Sequence, residues 1–560
     1  MAKLRAAVVL AAAAALIVGA GGAWWGRRAA IAGVERGLRR LDLQWSARQD
    51  AVAELHWHGL TGPGIQVQRL ELRLLPTPSL RLTNPVVHLD ALDLDALPLS
   101  PDGLQAALRA PSAVPGAAPD PLAALDALFQ PLLPTALAGA TAEIRGGAVY
   151  WGEDPLLTNL HGPLWPEQRL QGDEGDISLQ NGVPVINLKK RIEFEWLHTA
   201  ASATVSCAPP ACTFALKLDE LMVNDPRLAP TTLPVTALEL EGSYDLDQHA
   251  LQAEGRLGGL RFDLRGTLSP EPVRFDLTID VHDAPLGALL ELFGPLVPEA
   301  RRGEVSGTVG LALQLSGPPL RWSARPRAAG LAASGVVPNL GELRGGRVRW
   351  THPDASGREQ AQETGEGTRG WVPYAAAGLV PRTFVAAEDA AFGRHPGYSL
   401  EAVQDAVDEA AAEGEWLQRG GSTITQQLVK NLYLDGRDRS VARKLRELLL
   451  ALEVQAALPP ERVLGLYINV VELGPGIFGV GAASEAYFLK RPERLTLREA
   501  AFLATLLPAP ARGYRRYLAE DPPDLRIDQI IDNMLLMRAV DPATASRAKK
   551  EQLRFVPPAR

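Results

Sequence analysis

RGGSTITQQLVKNLYL, Arg419–Leu434, decides how the C-terminal part of this chain folds. A Gly-Gly pair ends whatever comes before it. Ser422, Thr423 and Thr425 then offer side-chain oxygens to the bare N–H groups of a helix start, with Ser422 the natural N-cap. One such residue suffices for capping. Here Gln426 and Gln427 follow directly, and so much polarity at one helix entrance points to a polar ligand; a capped helix alone is the plainer reading.

Working outward, the neighbouring sequence is helical in pattern. LRELLLALEVQAAL and LREAAFLATLL are helix formers throughout, with no internal Gly or Pro. Ile527–Gln552 reads as one or two amphipathic helices. Just downstream, KNLYLDGRDRSVARKLRE, Lys430–Glu447, gathers Lys430, Arg437, Arg439, Arg443, Lys444 and Arg446. The whole chain carries a formal charge of -8, so an anionic ligand must be held by a local cluster such as this one. Arg439, Arg443 and Glu447 recur every fourth residue and share a helix face; a surface ion-pair ladder would give the same spacing. Upstream, EDAAFGRHPG sets Glu388 and Adjacent Asp389 ahead of His395, which reads better as support for a turn than as a metal ligand. Further on, LYINVVELGPGIFGVGAASEAYF places Gly474, Gly476 and Gly479 around Pro475, a rigid turn that a helical core does not require.

Before these motifs the texture is different. VRFDLTIDV sets Val273, Phe275, Leu277, Ile279 and Val281 against Arg274, Asp276, Thr278 and Asp280, the period-two pattern of a strand with one buried face. TALELEG and GEVSGTVGLALQLSG repeat it, so residues 29–350 read as β-rich, interrupted by short helical pieces such as Ala284–Ala300 and by the Pro/Ala-rich Ala107–Leu125. Residues 351–370 are polar and Gly-rich, as in a linker. Cys207 and Cys212, the chain's 2 cysteines, bracket APPA between two strand-like runs, an arrangement that suits a disulfide and hence an oxidising compartment, with a pair of free thiols as the alternative. Ala6–Gly26 is uncharged, with Lys3 and Arg5 before it, Arg27 and Arg28 after it, and Trp24 and Trp25 at an interfacial position. Residues 1–28 are expected to be a membrane anchor, with a cleaved signal peptide as the alternative; either exports the rest.

In this order the C-terminal motifs closely resemble the peptidoglycan glycosyltransferases of glycosyltransferase family 51, the monofunctional branch above all. The likeness runs from about Trp371 to Pro510. It comprises Glu-Asp-x-x-Phe-x-x-His-x-Gly, Gly-Gly-Ser-Thr-Ile-Thr-Gln-Gln, Arg-Lys-x-x-Glu, Tyr-x-Asn with Gly-x-Gly-x-x-Gly-Val, and REAAFLATLLPAP. It implies a mainly α, lysozyme-like glycosyltransferase domain over 371–520 that the helices of 521–560 complete. With the expected membrane helix and the β-rich middle region read above, the chain is expected to be multidomain, a departure from monofunctional members of the family, which place this domain directly after the membrane helix. It also implies polymerisation of lipid II into glycan strands, with inversion and release of undecaprenyl pyrophosphate. Glu388 matches the base and Glu447 the second catalytic glutamate. Asp389, Ser422, Thr425, Gln426, Gln427, Lys430, Arg439, Arg443, Lys444 and Asn469 fall at substrate-binding positions. No cofactor is required; some family members place a divalent cation, Mg or Mn, at the pyrophosphate, and no metal ligands are assigned here.

The β-rich region resembles AsmA-like envelope proteins, whose long sheets are thought to handle lipids; a plain spacer or interaction domain fits as well. The expected setting is the inner membrane, with the catalytic domain on the periplasmic side. The expected partners are lipid II, the growing strand, the membrane and other cell-wall synthesis proteins. Net acidity argues against nucleic acid. Two other readings stay open: a lipid-handling or scaffold protein with an inactive head, and a lysozyme-like glycan-cleaving enzyme.

Overall fold

The computed structural model describes residues 44–89 and 141–556 apart from short segments, the longest being 414–420. The expected anchor, 1–28, and the Pro/Ala-rich stretch 107–125 lie outside the described residues. Among the described residues no helix is long and apolar enough to cross a membrane.

The alternating sequences build a 17-stranded sheet. Strands consecutive in sequence pair antiparallel, as Leu260–Pro270, Val273–Pro285 and Glu304–Gly317 do, whereas Ser79–Leu89 and Thr141–Trp151 run parallel. Register carries the apolar face of one strand onto the next: Leu264 lies opposite Ile279, which lies opposite Leu313. A one-residue slip would turn all three to the other face, so the alternation fixes the pairing. Cys207 and Cys212 face each other across the hairpin of Leu197–Ala208 and Ala211–Val223, and they are disulfide-bonded.

Helix α1, Leu286–Phe293, closes one end of the sheet by burying Leu286, Leu290 and Phe293, spaced along one helical face. After the last strand, Arg321–Ser334, comes α2, Leu340–Gly345. The stretch expected as a linker is not wholly irregular. Val348–Pro353 and Glu359–Thr364 pair as a hairpin, with Trp350 buried. Polar composition hides this hairpin because its strands expose most of their side chains.

The helical part follows: α3 (Val380–Glu388), α4 (Leu400–Glu413), α5 (Ile424–Tyr433), α6 (Val441–Ala457), α7 (Pro460–Val470) and α8 (Gly479–Phe488). Then come α9 (Leu497–Leu506), α10 (Pro510–Leu518), α11 (Asp524–Leu536) and α12 (Pro542–Lys550). Phe384, Tyr467, Tyr487 and Phe502 are fully buried at its centre. One continuous apolar core joins this part to the end of the sheet, from Leu233, Leu290, Leu331 and Val336 to Leu449, Leu450 and Leu466. The turn between α7 and α8 needs glycine at Gly479: φ is 76°, and a Cβ there would lie 2.9 Å from the Asn469 carbonyl oxygen.

Candidate active site

The site assembles where the C-terminus of α3 meets the N-termini of α5 and α6. Helix α3 ends at Glu388 with Asp389 as its C-cap. Its last carbonyls, left bare by the helix end, are met from α11: Asn533 Nδ2 donates to the Ala386 oxygen (2.9 Å) and an Arg526 amine to the Ala387 oxygen (3.1 Å). Glu388 is therefore held at a capped helix end. Gln427 Nε2 donates to its carboxylate at 2.8 Å, and the buried Tyr467 hydroxyl donates to Gln427 Oε1 at 2.7 Å. The second bond orients the first, because it commits the amide oxygen and turns the NH2 toward Glu388. Burial pushes the Glu388 carboxyl above the ordinary glutamate range, an effect moderated by Gln427, Arg526 and Lys430.

Asp389 organises the framework. It accepts from His395 Nε2 at 2.9 Å and from the Ile424 N–H at 3.0 Å, while His395 Nδ1 accepts from the Gly397 N–H at 3.2 Å. The histidine thus ties the turn to the start of α5, as a turn-supporting residue would. Gly397, at φ 99°, lets that turn lie against α6, where a Cβ would come within 2.7 Å of the Ala451 oxygen.

The cap of α5 is Thr423, not Ser422. Thr423 accepts from the Gln426 N–H and Gln426 Oε1 accepts from the Thr423 N–H, a reciprocal capping box. The reason is register: the first helical residue is Ile424, one place later than the polar run suggested. Gln426 is committed to this box and Thr425 Oγ1 to Gln455 Oε1 (2.6 Å), so both expected ligand contacts are used internally. Asn469 is also placed away from the ligand side. It is buried, and its amide donates to the oxygens of Val372 and Gly465 and accepts from the Val372 N–H. Its job is to fasten α7 to the segment entering the helical part.

Ser422 instead turns to the cations, accepting from Lys444 Nζ at 2.6 Å. Lys444 also pairs with Glu447 at 2.8 Å, and Arg443 pairs with the other oxygen of that carboxylate. Glu447 is 1% exposed. Buried between two cations, its carboxylate fixes both. Lys430 on α5 faces the same cluster, and Arg439 stands exposed before α6. Burial lowers Lys430, helped by Arg443 and Arg439. Desolvation with Arg443, Lys430 and Arg439 nearby pushes Lys444 down to about 8, against the pull of its 2.8 Å pair with Glu447 and a side chain that is still 45% exposed. Burial likewise lowers Arg443, whose buried Nε has no hydrogen-bond partner among the described residues. Cations that depress one another, with an unused donor among them, make a site for an anion.

Residues 357–535 match the family model described as Transglycosylase. This part of the chain is a transglycosylase domain. A biosynthetic peptidoglycan transglycosylase of Nitrobacter hamburgensis is 46% identical over 151 residues, 27% of this chain and 66% of that protein. One from Bordetella pertussis is 44% identical over 151 residues, 26% of this chain and 62% of the relative. The chain therefore spans somewhat less than two thirds of the length of each. A crystal structure of penicillin-binding protein 1A from Haemophilus influenzae aligns with 38% of this chain and 22% of that one at 20% identity. Its TM-score of 0.19 makes it too slight a likeness to build on.

Within the transglycosylase domain, the sequence missed Tyr467 and Arg526 as neighbours of Glu388. Tyr467 stood inside the Tyr-x-Asn motif and was open to notice. Arg526 reaches the site from 139 residues away, and no local pattern marks it.

Proposed function

We propose that the chain polymerises lipid II into glycan strands, with inversion at the anomeric carbon and release of undecaprenyl pyrophosphate. The observation that carries this reading is a desolvated carboxylate, Glu388, facing a cluster of cations whose Arg443 Nε has no hydrogen-bond partner among the described residues. A sugar hydroxyl is a weak nucleophile and needs a positioned base. Glu388, raised by burial and oriented by Gln427, takes the C4 hydroxyl proton as oxygen attacks the anomeric carbon. The bond to pyrophosphate breaks, and Lys430, Arg439, Arg443 and Lys444 stabilise the departing anion. A leaving group of this kind needs no protonation. Glycan hydrolysis does need a second carboxylic acid, and Glu447, locked between Arg443 and Lys444, does not supply one.

The donor set does not suit a divalent cation at the pyrophosphate. Glu447 is neutralised by its two partners, and the surrounding groups are cationic, so no step is routed through a metal. The lysozyme-like character of the domain, the anchor at 1–28, the inner membrane, the periplasmic side and the partners in wall synthesis belong to the same proposal. The disulfide between Cys207 and Cys212 supports export. We read the AsmA-like region as presenting lipid to the enzyme or carrying the domain back toward the membrane.

Labelled lipid II with size-resolved products tests the reaction. Long glycan from the wild type that vanishes in Glu388→Gln supports polymerisation. Shortening of pre-made glycan, or no product from the wild type, would refute it.

A further inference from the structure

Helix α6 bears the anion-binding face of the site, yet much of what holds it comes from the β-rich region. Its first two N–H groups, Val441 and Ala442, have no partners within the helix. They donate to the oxygens of Arg227 and Leu228, at 2.8 and 3.0 Å, in the loop after the strand Ala211–Val223. One turn on, Arg446 makes a bidentate pair with Glu299, at 2.9 and 2.8 Å, just before the strand Glu304–Gly317. Glu299 is 2% exposed. Further along, Glu453 accepts the N–H groups of Gly335, Val336 and Val337, at 2.7, 2.7 and 2.6 Å, where the last strand of the sheet ends. At about 100° per residue, Arg446 and Glu453 share one face of α6, roughly a third of a turn round from Arg443, Lys444 and Glu447. One face is fastened to the sheet and the next faces the ligand.

We propose that the β-rich region is a brace for the catalytic domain, with Glu299 and Glu453 as positioning residues that set α6, and through it Arg443 and Lys444, against the leaving group. The relatives from Nitrobacter hamburgensis and Bordetella pertussis match only about a quarter of this chain, 27% and 26%, so their likeness says nothing of such a brace. The bonds themselves do. Buried carboxylates are costly unless fully partnered, and both of these spend their hydrogen bonds on the seam between the two regions. Neither touches the reacting groups.

The catalytic half of this inference rests on the polymerase reading; the mechanical half does not. Full-length chain is compared with Glu299→Gln and Glu453→Gln, with Glu241→Gln, on an exposed strand position, as control. Hydrogen exchange is followed at residues 441–447, and polymerisation kinetics are measured on lipid II. Each seam variant is expected to speed exchange at 441–447 by about tenfold or more while unfolding stays cooperative. kcat should fall by about tenfold with KM within about twofold, since the affected groups act on the leaving anion. The control should match the wild type. Unchanged exchange at 441–447 in both seam variants overturns the brace whether or not lipid II is the substrate. Faster exchange with unchanged kcat overturns the positioning role. A wild type that forms no glycan strikes at the polymerase reading, and the exchange result then still decides the brace.

Discussion

Replacing Lys444 by Arg tests the electrostatics of the site through a pH profile. Lys444 is pushed down to about 8 by burial and by Arg443, Lys430 and Arg439. The cation is the form that stabilises the leaving group, so its contribution is full below that value and lost as pH rises through it. A group titrating near 8 is about nine-tenths charged at pH 7 and about one-tenth charged at pH 9, which predicts a fall in kcat/KM of at most about tenfold over that interval, less to the extent that the pair with Glu447 holds the charge. Arginine stays charged throughout. In Lys444→Arg the absolute rate will drop, because a planar guanidinium does not reproduce the contacts to Ser422 and Glu447. The shape of the profile is the readout. The ratio of kcat/KM at pH 7 to pH 9 should shrink from its wild-type value, at most about ten, to about one. The acid limb, set by a Glu388 carboxyl held above the usual glutamate range, should keep its place: activity appears as that group deprotonates. An alkaline limb unchanged in Lys444→Arg would refute the assignment.

Tyr467→Phe removes the donor that orients Gln427, and it should lower kcat about tenfold with a stability loss of about 1–3 kcal/mol, measured by steady-state kinetics and thermal unfolding. Asn469→Ala removes three hydrogen bonds to backbone groups and should cost about 2–4 kcal/mol of stability while KM for lipid II stays within about twofold; a large rise in KM would return Asn469 to the ligand side. Asp389→Asn weakens the bonds to His395 and the Ile424 N–H and should lower the unfolding temperature by several degrees, consistent with about 1.5–3 kcal/mol.

The alternation over Val273–Val281 carried the sheet because its period sets strand and register; Phe275, Leu277, Ile279 and Val281 are half-buried and Arg274 and Asp276 exposed, while Thr278 and Asp280 are half-buried as well. The cysteine pair was equally legible: a short spacing between strand-like runs leaves few geometries other than a hairpin. The motifs of the helical domain located Glu388, Gln427, Lys430 and the α6 cations, since each is a local cluster of side chains. Sequence could not separate polar residues that face the ligand from polar residues that hold the frame. Thr425, Gln426 and Asn469 have the same chemistry in either role, and only their partners decide it. The hairpin at 348–364 was hidden by its polar surface. Contacts made across long separations, such as Arg526 to α3 and Glu299 to Arg446, leave no periodic trace at all.

The central claim is that Glu388 activates a sugar hydroxyl while the cations receive a pyrophosphate. It is tested most directly by measuring, in one reaction, glycosidic bonds formed and lipid pyrophosphate released by the wild type and by Glu388→Gln. The account predicts one pyrophosphate per bond and a fall of about 10²–10⁴ in kcat for the variant, both products falling together. A variant within tenfold of the wild type, or bonds formed without pyrophosphate release, would contradict it.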